Sequence, residues 1–368
     1  MDRTAFIPSP GGLVIIKNGT NGQFVLQFYQ KIMTQVQIVE SLPYDKWNQF
    51  IGTSATGNIF HTPMMMDVFR ETVNYEPFLF SVINEYSKEI ESLLLVTKIE
   101  ILSSMLNRFA SRMICYGGII HSTDATNGLL KLFEFYDPIV RNKSIFTEIR
   151  NIYPTESFKP DMIAAGYEYE EYLNYIVDIR RDVQKIFRSF SESRKRNIRA
   201  LEKMGVYVEE VTVMKGIEIV YEILDQTYSR IQVPLADISL FESLMKHLFE
   251  KNMVKFFWAK FKDQSLAALV TLLYKDVIYT WYYGSASEFR NLSPESLLIW
   301  HVMKWGALNG YRILDFGGAG RPDENYGVRD FKARFNGECV NYGRYIKVYS
   351  KTCLKLSKLG YQVYRKLL

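Results

Sequence analysis

FFWAKFKDQSLAALV, residues 256–270, alternates apolar and polar, passes through a polar turn and resumes apolar. That is the pattern of a β-hairpin. FLFSVINEYSKEIESLLLV, residues 78–96, has the same form. A strand ending in Tyr-Gly follows each hairpin: ICYGGII with Tyr116 and Gly117, and VIYTWYYGSAS with Tyr283 and Gly284. A helical segment precedes each, Pro63–Glu71 in the first case and Ile238–Glu250 in the second. The order helix, hairpin, strand, helix therefore occurs twice, which implies two copies of one module. The fold class expected is α/β: two tandem domains, each a mixed, mostly antiparallel sheet flanked by helices.

The second copy carries the sharper signals. Ser293-Pro294-Glu295 reads as a helix start: a Ser N-cap, Pro at the first helical position, then an acid suited to the dipole. Leu298, Val302, Trp305 and Leu308 continue at helical spacing, and Gly310 stands where a glycine ends a helix. RILDF is then a short strand, and a strand–helix–strand order pairs its strands in parallel. Residues 186–204 read as one helix, with Phe187, Phe190, Ile198 and Leu201 on its apolar face and Arg188, Arg194, Lys195, Arg196, Arg199 and Lys203 around the rest.

The bulk composition bounds the function. The 368 residues, 48% hydrophobic and 23% charged, suit two globular cores. Cys115, Cys339 and Cys353 are far apart and odd in number, so no disulfide framework is implied and a reducing, cytoplasmic setting is expected. No apolar run reaches the ~20 residues of a membrane span. Residues 1–32 read as a loose N-terminal extension, with Met33 the expected true start. Domains are then expected at 33–180 and 181–340, followed by a basic tail at 341–368. Charge is uneven: residues 185–203 carry seven basic and two acidic side chains, and residues 339–368 carry seven basic and none acidic. Two basic segments on an otherwise acidic body point to local anion contacts. In the tail, Lys347, Lys351, Lys355 and Lys358 share one helical face, which suits an anionic membrane surface.

Several chemistries are excluded. His61, His121, His247 and His301 are scattered, so no metal site is expected. GSAS at 284–287 is not a nucleophile elbow, and DFG at 315–317 has no other kinase motif beside it. GGAG at 317–320 is neither a dinucleotide fingerprint nor a P-loop. After a strand, Gly317 and Gly318 instead permit positive φ and close approach of a ligand or another backbone. Phe331 and Phe335 form an inward helical turn, so Lys332, one step round, can reach solvent or an anionic ligand. Arg329 lies close by in sequence. In LDQTYSRIQVPL, Tyr228 and Arg230 stand at a helix end, where an arginine can grip phosphate or carboxylate.

FRSFSESRKRNIRALEKMGV, TYSR, YYGSASEFRNLSPESLLIWHVMKWGALNGYRILDFGGAG and YGVRDFKARFNG, in this order, resemble the Fem-type peptidoglycan aminoacyltransferases and their GNAT-like relatives. GNIFHTPMMMDVF and SRMICYGGII fit as well, and the resemblance spans about residues 35–345. It implies two tandem GNAT-like domains and transfer of an acyl group to an amine. It also implies a phosphate-bearing envelope precursor as acceptor, on peptidoglycan or a related polysaccharide, and a place at the inner membrane face. By motif match Lys332 resembles the family lysine near substrate phosphate and the developing oxyanion, and Arg230 the arginine that contacts phosphate. The long coiled-coil insertion of the tRNA-using staphylococcal type is absent, as is the Arg/Gln-x-x-Gly-x-Gly/Ala loop of acetyl-CoA enzymes. The donor therefore stays open between aminoacyl-tRNA, held through residues 185–203, and acyl-CoA, with no tightly bound cofactor. An N-acyltransferase acting on an amino sugar or small amine, and a binding protein that lost turnover, are the competing classes.

In a GNAT-like fold two parallel strands splay and free a backbone N–H for the substrate carbonyl. The strands expected to do so are Val277–Tyr283 and Arg312–Phe316. Tyr283 is then the candidate proton donor to the leaving group, and Asp315 the group that orients the loop or accepts the amine proton.

Overall fold

The computed structural model describes residues 4–9, 12–17, 36–100, 111–122 and 128–357. Two mixed sheets dominate it. In the first, strands β3 (Val36–Val39), β4 (Tyr75–Asn84), β5 (Ile90–Ile99), β6 (Arg112–Tyr116), β8 (Phe146–Arg150), β17 (Arg344–Val348) and β9 (Glu168–Glu170) lie side by side in that order. The short β7 (Ile120–His121) also pairs β5. In the second the order is β11 (Tyr207–Val211), β12 (Val254–Phe261), β13 (Gln264–Tyr274), β14 (Val277–Ser285), β15 (Ile313–Gly318), β10 (Leu173–Asp178) and β16 (Glu338–Asn341).

The repeat read from the sequence is present in space. Each hairpin follows its helix: α2 (Pro63–Glu71) before β4–β5, and α8 (Ile238–Leu248) before β12–β13. Each sheet has one parallel pair, β6 with β8 and β14 with β15, and every other pair is antiparallel. The parallel pairs are bridged by helices α3 (Gly128–Val140) and α9 (Glu295–Leu308), because parallel strands cannot be joined by a tight turn. Helices α5 (Val183–Ser189), α6 (Glu192–Met204) and α9 bury one face of the second sheet around Phe257, Leu269 and Trp300. Helices α7 (Met214–Arg230) and α8 bury the other face. Ile59, Phe60, Met65, Val68 and Phe69 of the first half join that second core, so the halves share apolar packing.

Five expectations change. Sheet membership switches between Glu170 and Leu173, ahead of the boundary placed at 180, and again between Asn341 and Arg344. Each switch is a pair of consecutive strands divided between sheets: β9 goes to the first and β10 to the second, β16 to the second and β17 to the first. The tail at 341–368 is consequently not one amphipathic helix. Tyr345 is fully buried inside a strand, and Lys347 bonds the Asp137 carboxylate at 2.5 Å and the Ala165 carbonyl at 2.6 Å. The lysine spacing coincided with a helical period over a stretch whose alternation is that of a strand. Residues 351–357 are helical, and 358–368 lie outside the described residues.

The helix read over 186–204 breaks at Phe190, whose ψ of 155° is extended, and Ser191 caps the next helix by accepting from Arg194 N at 3.3 Å. Ser293 does not cap α9. It takes φ +48°, and Pro294 opens the helix without a side-chain cap. Gly310 ends that helix as expected, at φ +83°, with Tyr311 N donating to the Gly306 carbonyl at 3.0 Å. Of the expected loose extension, Thr4–Ser9 and Gly12–Lys17 form an antiparallel hairpin, β1–β2. Met33 and the rest of 1–32 lie outside the described residues.

Candidate active site

The parallel pair β14–β15 is short. Only Val277–Tyr279 face Ile313–Asp315, yet β14 runs on to Ser285 and β15 to Gly318. A bulge marks the split on each strand. On β14, Thr280 pairs Thr271 and Tyr282 pairs Val270, which leaves Trp281 as an extra residue. On β15, Asp315 pairs Ile176 and Gly318 pairs Asn174, leaving Phe316 and Gly317 opposite one residue. Bulges bend and twist the strand that carries them, and two at one level turn the strands apart. Thr280 Oγ1, donating to the Asp315 carbonyl at 3.3 Å, stands at the point of division.

The loop after β15 is held from one helix, α10 (Gly327–Ala333). Lys332 is 3% exposed and its Nζ donates to the carbonyls of Phe316 at 2.6 Å, Gly317 at 3.3 Å and Gly318 at 2.7 Å. Three residues earlier, Arg329 donates to the carbonyls of Ala319 at 3.0 Å, Pro322 at 3.3 Å and Arg321. Two cations one helical turn apart thus bind six carbonyls of residues 316–322. Burial draws the Lys332 amine down to about 7 against the pull of Asp315. The contacting carbonyl oxygens favour its charged form. Asp315, 4% exposed, accepts from Gly317 N at 2.6 Å, and burial raises its carboxyl to about 6. Gly317 needs its φ of +66°, and a Cβ on Gly318 would lie 2.7 Å from the Tyr172 ring.

The end of β14 is held from the other side. Thr227 Oγ1 accepts from Ser285 N at 3.0 Å and donates to its carbonyl at 2.9 Å. Arg230, at the end of α7, donates to Ser287 Oγ at 3.1 Å and Thr227 Oγ1 at 3.3 Å. Tyr228 packs against Tyr282 at 5.6 Å between ring centres. Tyr283 stacks on Phe331 at 5.8 Å, and burial pushes both the Tyr228 and Tyr283 phenols far up.

The expected residues therefore fall into two groups. Asp315, Gly317, Gly318, Arg329 and Lys332 surround the end of β15, and Tyr228, Arg230 and Tyr283 the end of β14. The Tyr283–Phe331 stack joins the two. Lys332 does not project toward solvent, because its amine fills the strand-end carbonyl cradle. Arg329 likewise faces carbonyls. Among the described residues no group of His, Cys, Asp and Glu could hold a metal ion.

Arg194, placed by the sequence among the basic residues off the apolar face of the helix read over 186–204, is 4% exposed. Its guanidinium donates to Ser296 Oγ and to the Phe331 carbonyl at 3.2 Å, over the rings of Phe331 and Phe335 at 4.3 and 4.5 Å. Burial lowers it to about 10. The signal was present: Arg194 lies four residues from both Phe190 and Ile198, on the apolar stripe.

Residues 188–332 match the Acetyltransferase (GNAT) domain family. The match covers strands β11 to β15 of the second sheet and leaves out its β10 and β16. Among solved structures, FemX superposes with a TM-score of 0.64 at 15% identity, covering 89% of this chain and 99% of its own. L-PGS from Bacillus licheniformis gives 0.53 at 14% identity, covering 88% and 97%. A tandem GNAT protein from the clavulanic acid biosynthesis pathway gives 0.53 at 9% identity, covering 86% and 100%. These likenesses extend over both halves, so the chain has a tandem GNAT-like fold. No curated protein sequence matches it.

Proposed function

We propose that the protein transfers an aminoacyl or acyl group to an amine of a cell-envelope precursor. The observation that carries the reading is the division of β14 from β15 within a GNAT domain. Beyond Tyr279 no strand among the described residues lies beside the edge of β14 that faced β15, so a substrate carbonyl laid there meets a preorganised backbone donor. The amine attacks the carbonyl carbon and the ester or thioester bond breaks. Tyr283, kept protonated by burial, gives a proton to the leaving oxygen or sulfur. Asp315, raised to about 6, accepts the amine proton or fixes the loop through Gly317 N. Lys332 and Arg329 act by holding residues 316–322 in place, and Arg230 and Tyr228 by binding the substrate at the other strand end.

Several features support an aminoacyl-tRNA donor. A pyrophosphate held at the start of α9 would meet Pro294, which has no N–H, and the acid Glu295. Lys185, Arg188, Arg196, Arg199 and Lys203 are exposed on α5 and α6 and suit a phosphate-rich donor. The likeness to FemX and to L-PGS supports an envelope acceptor. No helix among the described residues is long and apolar enough to cross a membrane. A peripheral position at the inner, cytoplasmic membrane face therefore depends on surface contacts such as the exposed Lys351 and Lys355. Acyl-CoA is the second reading for the donor, favoured by the family match itself.

The test is transfer of labelled amino acid from charged tRNA, or of labelled acyl from CoA esters, to nucleotide-linked envelope precursors. Salt-sensitive transfer from tRNA supports the first reading and transfer from CoA esters the second. No transfer from either donor would leave a binding protein of the same fold and overturn the proposal.

A further inference from the structure

The face of the first sheet that carries Tyr116, packed on Trp281 of the second, is charged along β6, β8 and β17. One row of that face follows from the register. Tyr116, Arg150, Arg344 and Glu170 stand side by side on β6, β8, β17 and β9. Two arginines directly opposite each other repel. One carboxylate, Glu148, separates them: Arg150 Nη2 donates to its Oε2 at 2.9 Å, and Arg344 Nη1 to its Oε1. Burial works to raise the Glu148 carboxyl, and Arg150, Arg344 and Arg112 override it, holding it down to about 2. Glu170 does not balance the row, because Arg321 engages it at 2.6 Å. Two guanidinium groups thus share one carboxylate, and the charge of a third, Arg112, acts on it as well. Among the described residues the buried Nε atoms of Arg112 and Arg150 have no hydrogen-bond partner, an arrangement that is costly unless an anion completes it.

The cluster adjoins the site already described. Arg344 lies over the Tyr172 ring at 3.3 Å, and a Cβ built on Gly318 would stand 3.6 Å from Arg344 Nη2. Arg150 lies over Tyr116 at 5.3 Å, and Tyr116 packs against Trp281, the extra residue of the β14 bulge, at 6.2 Å. The two arginines therefore reach from the first sheet toward both strand ends of the second.

We propose that Arg150 and Arg344, with Arg112 beside them, form an oxyanion subsite between the domains that holds a phosphate or carboxylate group of the substrate while its reacting group lies between β14 and β15. An anion there would neutralise the excess charge and accept bidentate hydrogen bonds from planar guanidinium groups. The subsite rests on the acyl-transfer reading only for what the rest of the substrate is.

The test measures thermal stabilisation of the full chain by inorganic pyrophosphate and by malonate, each titrated at constant ionic strength. Arg150→Gln alone would weaken a partner of buried Glu148, so the decisive variant is the charge-balanced pair Glu148→Gln with Arg344→Gln. Lys251→Gln, on an exposed turn, controls for charge. The expected result is saturable stabilisation of the wild type and of the Lys251 variant, with apparent affinity at least tenfold weaker in the double variant and in Arg150→Gln. Tighter pyrophosphate marks the group as a phosphate, and tighter malonate as a carboxylate. Equal affinity in all four proteins, or no saturable response in the wild type, overturns the subsite. The binding assay uses no donor or acceptor. A wild type that binds the anion but transfers nothing therefore keeps the subsite and refutes the acyl-transfer reading. Transfer that persists with an unchanged acceptor KM in the double variant does the reverse.

Discussion

Replacing Lys332 with methionine separates holding the loop from holding the fold together. Burial brings the amine from 10.5 to about 7, so keeping it charged at neutral pH costs about 5 kcal/mol at roughly 1.36 kcal/mol per pKa step. Against this stand three hydrogen bonds to carbonyl oxygens. At about 1.5–3 kcal/mol each for a charged donor they return about 4.5–9 kcal/mol. The two sides nearly cancel, and methionine removes both while filling much the same space. Global stability should therefore fall by only about 0–4 kcal/mol. Gly317 is half-buried and Gly318 exposed, so water can replace part of what their carbonyls lose.

The loop should respond far more. Without the tripod, residues 316–318 lose the contacts that fix their carbonyls, and a displacement near 1 Å in a reacting site can cost about 100-fold in rate. Hydrogen exchange followed by mass spectrometry on peptides covering 313–325 should show faster exchange in Lys332→Met, with peptides of β12 and β13 unchanged. Transfer should drop about 100-fold or more. Lys332→Arg should do little better, since a planar guanidinium cannot point three donors from one atom at three successive carbonyls. Lys332→Ala should be nearly inactive. Near-normal turnover in the alanine or methionine variant, with loop exchange unaltered, would refute the role given to this lysine.

Asp315→Asn tests the buried carboxyl. Its folded value is raised from 3.8 to about 6, so the folded wild type holds its proton more tightly and loses stability as pH rises from about 4 to 6. The asparagine variant should gain on the wild type across that window and level off above it; a constant difference in melting temperature from pH 4 to 7 would contradict the assignment. Gly343→Ala probes the turn that sends β17 to the first sheet: φ is +64° and a Cβ would lie 2.3 Å from the Tyr169 ring. A loss of at least about 2 kcal/mol in urea unfolding is expected, against the few tenths of an unstrained site. Ser191→Ala removes the cap of α6 and should lower stability by about 1 kcal/mol, so an unchanged midpoint would show that the side chain does not cap.

The sequence was legible where one physical rule dominated. Apolar alternation around polar turns placed both hairpins, because a half-buried strand has a period of two that little else mimics. Gly310 and the spacing of Leu298, Val302 and Trp305 placed α9 to within a residue or two. Sequence failed where two rules gave the same pattern. Lys347, Lys351 and Lys355 fit a helical face, and the burial of Tyr345 that decides for a strand depends on β8, nearly two hundred residues away. The break at Phe190 was hidden because α5 and α6 bury residues on one continued apolar stripe. Near the site the difficulty is different in kind. A lysine one step from an inward phenylalanine can turn to solvent or to a strand end, and only the carbonyls of 316–318 choose between them.

The exchange of strands explains why so much chemistry gathers between the halves. Tyr172 lies in the connection from β9 to β10, and Arg344 begins β17 just after the connection from β16. Gly343 N donates to the Tyr172 carbonyl at 3.3 Å, and Asn341 Oδ1 accepts from Tyr172 N at 3.0 Å, so the two crossings hold each other. The same crossings place Tyr172 and Arg344 beside Gly318. In two independent modules joined by a flexible linker, Arg344 would have no fixed distance from the β14–β15 division. Here that distance is set by backbone hydrogen bonds on both sheets. Loosening one crossing, as Gly343→Ala should, is therefore expected to weaken pyrophosphate binding along with stability, although residue 343 contributes no charge. Full pyrophosphate affinity in a Gly343→Ala protein that is measurably destabilised would show that the crossings do not position the arginines.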